Sequence, residues 1–108
     1  MSSKPYKIWF NGEFVPWDEA SVHVLTHTLH YGLAVFEGIR AYKCGDNRSA
    51  VFRLPEHIDR LYASAHIATI KIPYSKEETH DAILDLLTIN DLEEAYIRPI
   101  AFIGGGKV

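Results

Sequence analysis

Cysteine occurs once in the 108 residues, at Cys44. A lone thiol excludes an internal disulfide framework and fits a reducing compartment, so a cytoplasmic setting is the expectation. Cys44 itself reads as a loop or strand-end thiol with no catalytic part. Positive charge is also sparse: eleven Lys and Arg against fourteen Asp and Glu leave a formal net charge of -3, with no run of cations anywhere. Nucleic-acid surfaces need clustered Lys and Arg, so no nucleic-acid partner is expected. No apolar stretch approaches the roughly 20 residues of a membrane span. The first seven residues are polar and lack the apolar core of a signal peptide. Internal repeats and low-complexity tracts are missing as well. What is there is an ordinary globular composition, 47% hydrophobic and 23% charged, enough for one domain with a modest core.

Lys7-Ile8-Trp9-Phe10, Asn11-Gly12 and Glu13-Phe14-Val15-Pro16 form a hairpin signal, because Asn-Gly accepts the positive φ values of a tight type I′ turn. Residues 17–30 read as a loop feeding a short helix over 29–36, with Gly38 helping to end it. Residues 38–43 and 50–54 read as strands joined by the loop 44–49. Pro55 suits the first turn of a helix, and Ile58, Leu61, Tyr62 and Ala65 then recur at helical spacing. Ser75-Lys76-Glu77-Glu78 is a capping-box signature opening a second helix, with Ala82, Ile83, Leu86 and Leu87 as its apolar stripe and Asn90-Asp91 as its close. A last strand is expected over 95–103. The order predicts an α+β fold, a mostly antiparallel sheet with helices packed on one face.

Strand alternation over 95–103 puts Tyr96, Arg98, Ile100 and Phe102 on one side. A phenol and a guanidinium two residues apart can both reach a carboxylate, and the planar fork of arginine matches two carboxylate oxygens. Spacing alone reads more simply as a structural salt bridge at a strand end. Pro99 cannot donate to a ladder, which implies an edge or a bulge, and such places often border sites. Arg60 lies at the border of an apolar helix face, and pairing with Glu56 at i−4 is its ordinary reading. His23, His27 and His30 fall at spacings of four and three. However, Asp18, Glu19 and Cys44 are poorly placed to complete a zinc site, so hydrogen-bonded histidines and no metal are expected. Gly104-Gly105-Gly106-Lys107 lacks the first glycine and the trailing Ser or Thr of a phosphate loop and reads as a connector. The glycines at 32 and 38 are too few for a dinucleotide fingerprint.

Taken together, His30-Tyr31-Gly32, Val35-Phe36-Glu37-Gly38-Ile39-Arg40, Glu56-His57-Ile58-Asp59-Arg60-Leu61 and Tyr96-Ile97-Arg98-Pro99 carry a resemblance that none carries alone. The chain resembles the bacterial-type branched-chain amino acid aminotransferases, pyridoxal-phosphate (PLP) enzymes of the fold-type-IV class, from Ile8 through Gly104. The resemblance implies that residues 1–108 are the small N-terminal domain, cut at the inter-domain loop, with the catalytic C-terminal domain lying outside the chain. It implies amino-group transfer between branched-chain L-amino acids (Leu, Ile, Val) and 2-oxoglutarate, giving glutamate and the matching 2-oxo acids, in a homo-oligomer. By the same resemblance Arg60 corresponds to the arginine that holds the PLP phosphate. Tyr96 and Arg98 correspond to residues that hold substrate carboxylates, Arg98 the side-chain carboxylate of glutamate with the help of Tyr31. Phe36 corresponds to an aromatic wall of the pocket for aliphatic side chains.

The Schiff-base lysine of that family, and the acid that contacts the pyridine nitrogen, belong to the C-terminal domain. None of Lys4, Lys7, Lys43, Lys71, Lys76 or Lys107 stands in the matching context. No catalytic residue is therefore expected in this chain, and alone it is expected to be inactive. Two alternatives stay open: a related fold-type-IV enzyme (a D-amino acid aminotransferase or an aminodeoxychorismate lyase), and a free-standing, non-enzymatic small-molecule binding module. The missing lysine allows the module, and the abrupt end at Val108 counts against it.

Overall fold

The structure, a computed structural model, describes residues 6–45 and 48–104. The connector read at 105–108, and the tip of the loop at 46–47, lie outside the described residues. The N-terminal hairpin forms as its turn residues require. β1 (Lys7–Phe10) and β2 (Glu13–Pro16) pair antiparallel, and Asn11 and Gly12 take φ of 52° and 86° between them. A short 3-10 turn over Trp17–Glu19 leads to helix α1, His27–Tyr31.

The helix expected over 29–36 is corrected here. α1 stops at Tyr31 because Gly32 adopts φ 72°, a left-handed conformation that costs glycine nothing, and its N–H closes on the Thr28 carbonyl at 2.7 Å. Gly38 has no part in ending it. Residues Ala34–Phe36 are extended as β3, which pairs antiparallel with β7 (Ile100–Phe102). β4 (Ile39–Cys44) then pairs on one side with β5 (Arg48–Val51) and on the other with β6 (Ala95–Ile97).

The single strand expected over 95–103 is likewise two, split at Arg98-Pro99. Proline has no N–H to give a ladder, so the chain leaves β4 there and joins β3 instead. The antiparallel strands accordingly come as three small sheets, β1-β2, β3-β7 and β5-β4-β6. The α+β class stands, with its sheet divided.

Two long helices cover one face. α2 (Leu54–Ile67) has Pro55 in its first turn, and α3 (Lys76–Ile89) opens on the expected capping box. The Ser75 hydroxyl accepts from the Glu78 N–H at 3.0 Å, and the Glu78 carboxylate accepts from the Ser75 N–H at 2.9 Å. Replacing Ser75 with alanine removes one of these bonds and should cost about 1 kcal/mol, read as a lower urea midpoint with an unchanged slope. At the other end of α3 the buried Asn90 amide accepts from the Lys7 N–H (2.6 Å) and donates to the Lys7 and Leu86 carbonyls (2.9 and 3.0 Å), tying hairpin to helix.

Alternation along the central ladder decides which residues meet the helices. Ile39 and Ala41 of β4, and Ile97 opposite Ile39 on β6, face Leu54 and Ile58 of α2 and Ile83 and Leu87 of α3. Burying each of these larger side chains contributes about 1.5–3 kcal/mol. The same alternation turns Arg40, Tyr42 and Tyr96 to the opposite, open face.

Candidate functional site

That open face carries the chemistry. Arg40 and Tyr96 are direct cross-strand partners, and the Arg40 guanidinium lies 5.6 Å from the Tyr96 ring centroid. From the break after β6, Arg98 turns back over the same residue: its Nη2 donates to the Tyr96 hydroxyl at 2.7 Å. Its guanidinium also lies over Phe36, 4.3 Å from the ring centroid. Phe36, Tyr96 and Arg98, all expected at a site, are therefore one cluster, brought together by β3, β6 and the proline break. Phe36 and Tyr96 are 55% and 52% exposed, so the cluster is open to a ligand. Gly38 underlies it, since a Cβ there would collide with the Tyr96 hydroxyl. Any larger residue there would have to push the phenol from its present place.

Phe36 and Glu37 point apart. Phe36 meets Arg98, while the buried carboxylate of Glu37 meets helix α2, which packs against β3. Glu37 accepts from Arg60 Nε at 2.9 Å (Oε2) and 3.1 Å (Oε1), from Arg60 Nη2 at 2.8 Å, and from His57 Nδ1 at 2.8 Å. Its N–H donates to the Pro99 carbonyl at 3.1 Å, joining this node to the strand break that carries Arg98. The expected Arg60–Glu56 pair is thus corrected: Glu56 reaches Arg53 at 3.6 Å, and Arg60 turns inward to Glu37. A buried carboxylate must be paired, and two donors one helical turn apart satisfy it better than an exposed neighbour could.

The Arg60 hydrogen bonds hold the Glu37 carboxyl below the usual carboxylate range, against the opposing effect of burial, and His57 adds to the lowering. Glu37 in turn pushes the Arg60 guanidinium still further up. An ionised Glu37 fixes the imidazole tautomer: Nδ1 carries the proton it donates, so the 3.5 Å approach of Arg60 Nη2 to that nitrogen is a contact between two donors. The sign follows from the depressed folded value. Stability from this node is fully present above the ordinary carboxylate pKa of 4.5 and is lost as pH falls below it.

Tyr31, at the end of α1, is 75% exposed. Its ring stacks on His27 at 4.5 Å and approaches His30 at 6.5 Å, and it makes no hydrogen bond or ring contact with Phe36, Tyr96 or Arg98 among the described residues. The expectation of hydrogen-bonded histidines holds at two of the three positions: His23 Nδ1 accepts from the Leu25 N–H and His30 Nε2 bonds the Val24 carbonyl. His27 instead stacks on Tyr31, and its buried Nδ1 has no hydrogen-bond partner among the described residues. Among the described residues no three His, Cys, Asp or Glu side chains gather as metal ligands. No described helix is long and apolar enough to cross a membrane. Cys44 is exposed at the end of β4.

An apolar cavity of about 410 Å³ lies elsewhere, between the hairpin, α3 and residues 97–102, and of the expected site residues only Arg98 borders it. The site cluster itself is an open surface rather than a pocket. Glu37, His57 and Arg40 were not singled out from sequence as site residues. The signals that could have found them are the alternation that pairs Arg40 with Tyr96, and the i, i+3 spacing of His57 and Arg60.

Chemically, Arg98 and Arg60 each present a guanidinium that can take an anion, and Arg40, exposed beside Tyr96, is a third. Arg98 has an aromatic bed and a phenol beside it, which suits a carboxylate next to apolar substance. Arg60 is held by one edge, its side chain 67% exposed, and its Nη1 makes no hydrogen bond among the described residues. That outward edge fits a phosphate oxygen, so the residues present are compatible with the phosphate end of PLP.

Comparison with known proteins gives this surface its setting. The model of the amino-transferase class IV family matches residues 34–108, which hold all of the expected site residues except Tyr31. A branched-chain-amino-acid aminotransferase of Pseudomonas aeruginosa is 51% identical over 104 residues, 96% of this chain and 34% of the relative. That of Escherichia coli K12 is 48% identical over 97 residues, 90% of this chain and 31% of the relative. The chain thus spans about one third of the length of the curated relatives it matches. Among solved structures, the Escherichia coli branched-chain amino acid aminotransferase superposes with a TM-score of 0.91 at 46% identity, covering 96% of this chain and 34% of that one. The T.th. enzyme complexed with N-(5'-phosphopyridoxyl)-L-glutamate also gives 0.91 at 46% identity, over 97% and 35%. With the family model over well more than half of its residues and the same fold throughout, the chain belongs to the class IV aminotransferases.

Proposed function

We propose that this chain is the small, ligand-recognising domain of a PLP-dependent branched-chain amino acid aminotransferase. In this reading the complete enzyme moves the amino group between Leu, Ile or Val and 2-oxoglutarate. One observation carries the substrate class: a guanidinium laid on an aromatic ring beside a phenol. Two kinds of substrate must share one pocket, an aliphatic side chain and a second carboxylate. Phe36 offers an apolar wall to the first, and Arg98, lying loosely on that wall, offers a fork to the second. Tyr96 holds Arg98 and presents its phenol to a carboxylate. Tyr31, stacked on His27, stands ready as a further donor. Arg60 holds the phosphate of the cofactor, which when bound supplies the electron sink for amino-group transfer.

The open character of the cluster supports the view that other walls come from elsewhere, from a larger C-terminal domain and from a second subunit. Exposed Val24, Leu25, Leu29 and Tyr31 at 70%, 67%, 60% and 75% give the 22–33 segment the apolar surface a subunit contact would cover.

The test is kinetic. The complete polypeptide should transfer the amino group of L-leucine to 2-oxoglutarate far faster than that of D-alanine and should not convert aminodeoxychorismate. The 108-residue chain alone should give no glutamate, because by the family resemblance the Schiff-base lysine belongs to the C-terminal domain. Preference for D-alanine would replace this reading with the D-amino acid aminotransferase. Turnover by the isolated chain would refute the division of labour between domains.

A further inference from the structure

Glu37 binds nothing in the reading above, yet it is the most heavily bonded carboxylate described. We infer that Glu37 is a positioning residue: it grips the Nε–Nη2 edge of Arg60 and so presets the opposite, Nη1 edge for the cofactor phosphate. This rests on the reading of Arg60 as the phosphate-holding arginine.

The geometry argues for the role in three ways. First, the grip is side-on. Nε and Nη2 both donate to the carboxylate, at 2.8–3.1 Å, which fixes the plane of the guanidinium as well as its place. An arginine with one edge held has only the other left to offer, and that edge faces out. Second, the holder is itself held. Glu37 is buried, its N–H is bonded to Pro99, and His57 donates to Oε1 from one turn back on α2. The carboxylate therefore cannot follow the guanidinium towards a ligand. Third, a buried carboxylate is a poor choice for stability alone, since an apolar residue of similar volume commonly does as well. Beside an otherwise mobile surface arginine, it removes the ordering cost before the anion arrives.

The fixed charges of the node are Glu37 and Arg60, so the pair is close to neutral and the arriving dianion is met by donors rather than by net charge. Lysine at position 60 would lack the second edge: its ammonium could serve Glu37 or the phosphate but not both in a fixed plane.

The experiment compares two ligands that differ only in the phosphate. Dissociation constants for PLP and for pyridoxal are measured on the complete polypeptide by cofactor absorbance, for the parent, Arg60→Gln, Glu37→Gln and Glu37→Asp. Arg60→Gln should weaken PLP and leave pyridoxal unchanged. Glu37→Gln should weaken PLP by about 10-fold, the scale on which an orienting partner acts through the group it holds, again with pyridoxal unchanged. Glu37→Asp, which keeps the charge but retracts it, should fall between. If Arg60→Gln weakens PLP and Glu37→Gln does not, the positioning role is wrong while the cofactor reading stands. Equal weakening of PLP and pyridoxal by Glu37→Gln makes Glu37 merely structural and also overturns the role. No effect of Arg60→Gln removes the cofactor reading, and the inference with it. Should Glu37→Gln fail to fold, the ratio of the two constants in Glu37→Asp decides in the same way.

Discussion

Changing Arg98 to leucine in the complete polypeptide is expected to lower kcat/KM for 2-oxoglutarate by roughly 100- to 1,000-fold, while that for L-leucine falls less than about tenfold. The magnitude follows from the bonds lost. A fork of two hydrogen bonds to an ionised carboxylate, each worth about 1.5–3 kcal/mol net of competition with water, sums to about 3–6 kcal/mol; the exposed seat of Arg98 puts the loss at the lower end, about 3–4 kcal/mol, and each 1.36 kcal/mol is tenfold in rate. The asymmetry follows from the place of the side chain. Arg98 lies on Phe36, and a leucine there keeps the apolar wall that an aliphatic substrate needs while removing the cation that only the dicarboxylate uses. Arg98→Lys should recover part of the loss, because it keeps the charge and gives up the planar fork. Stopped-flow measurement of the two half-reactions separates the arms. An equal fall in both would mean that Arg98 serves a carboxylate common to both substrates, and the proposed division between wall and fork would be wrong.

The second large effect is on stability. Ile39 is 1% exposed, lying opposite Ile97 and against the α2 and α3 side chains. Ile39→Ala should cost about 3–4 kcal/mol, the transfer of the lost carbons plus the cavity they leave where strands and helices cannot close together. Against a total stability of about 5–15 kcal/mol, that is a large share. Ile67 provides the control: at 82% exposure on α2, its change to alanine should stay within about 0.5 kcal/mol. Urea unfolding followed by the fluorescence of Trp9 and Trp17 reads both. A loss below about 1 kcal/mol for Ile39→Ala would show that the central ladder is not the hub of the core.

Local chemistry was legible where neighbours in sequence decide it. Asn11-Gly12 makes its turn with its own positive φ values, and Ser75 and Glu78 close their capping box three residues apart. The stripes of α2 and α3 are periodic because each helix has one apolar surface to cover. Failures came where two local readings compete and a distant partner chooses. Residues 34–36 look helical in continuation of α1, but Gly32 ends that helix and β7 offers a ladder. The run at 95–103 looks like one strand, because alternation does not show that its halves pair with different strands.

The same division holds for the site. Sequence by itself determined the residue types and the family they resemble, and it placed Tyr96 and Arg98 close enough to share a carboxylate, since two residues on an extended chain are neighbours wherever that chain goes. Only the tertiary structure decided that Phe36, far earlier in the chain, lies under Arg98, and that Arg60 answers to Glu37 rather than to Glu56. Those contacts depend on how α2 packs against β3 and on where Pro99 releases the last strand. The physical reason is range: turns and caps are settled within a few bonds of the residues that make them. A buried carboxylate takes whichever cation the fold delivers, and no local pattern names it.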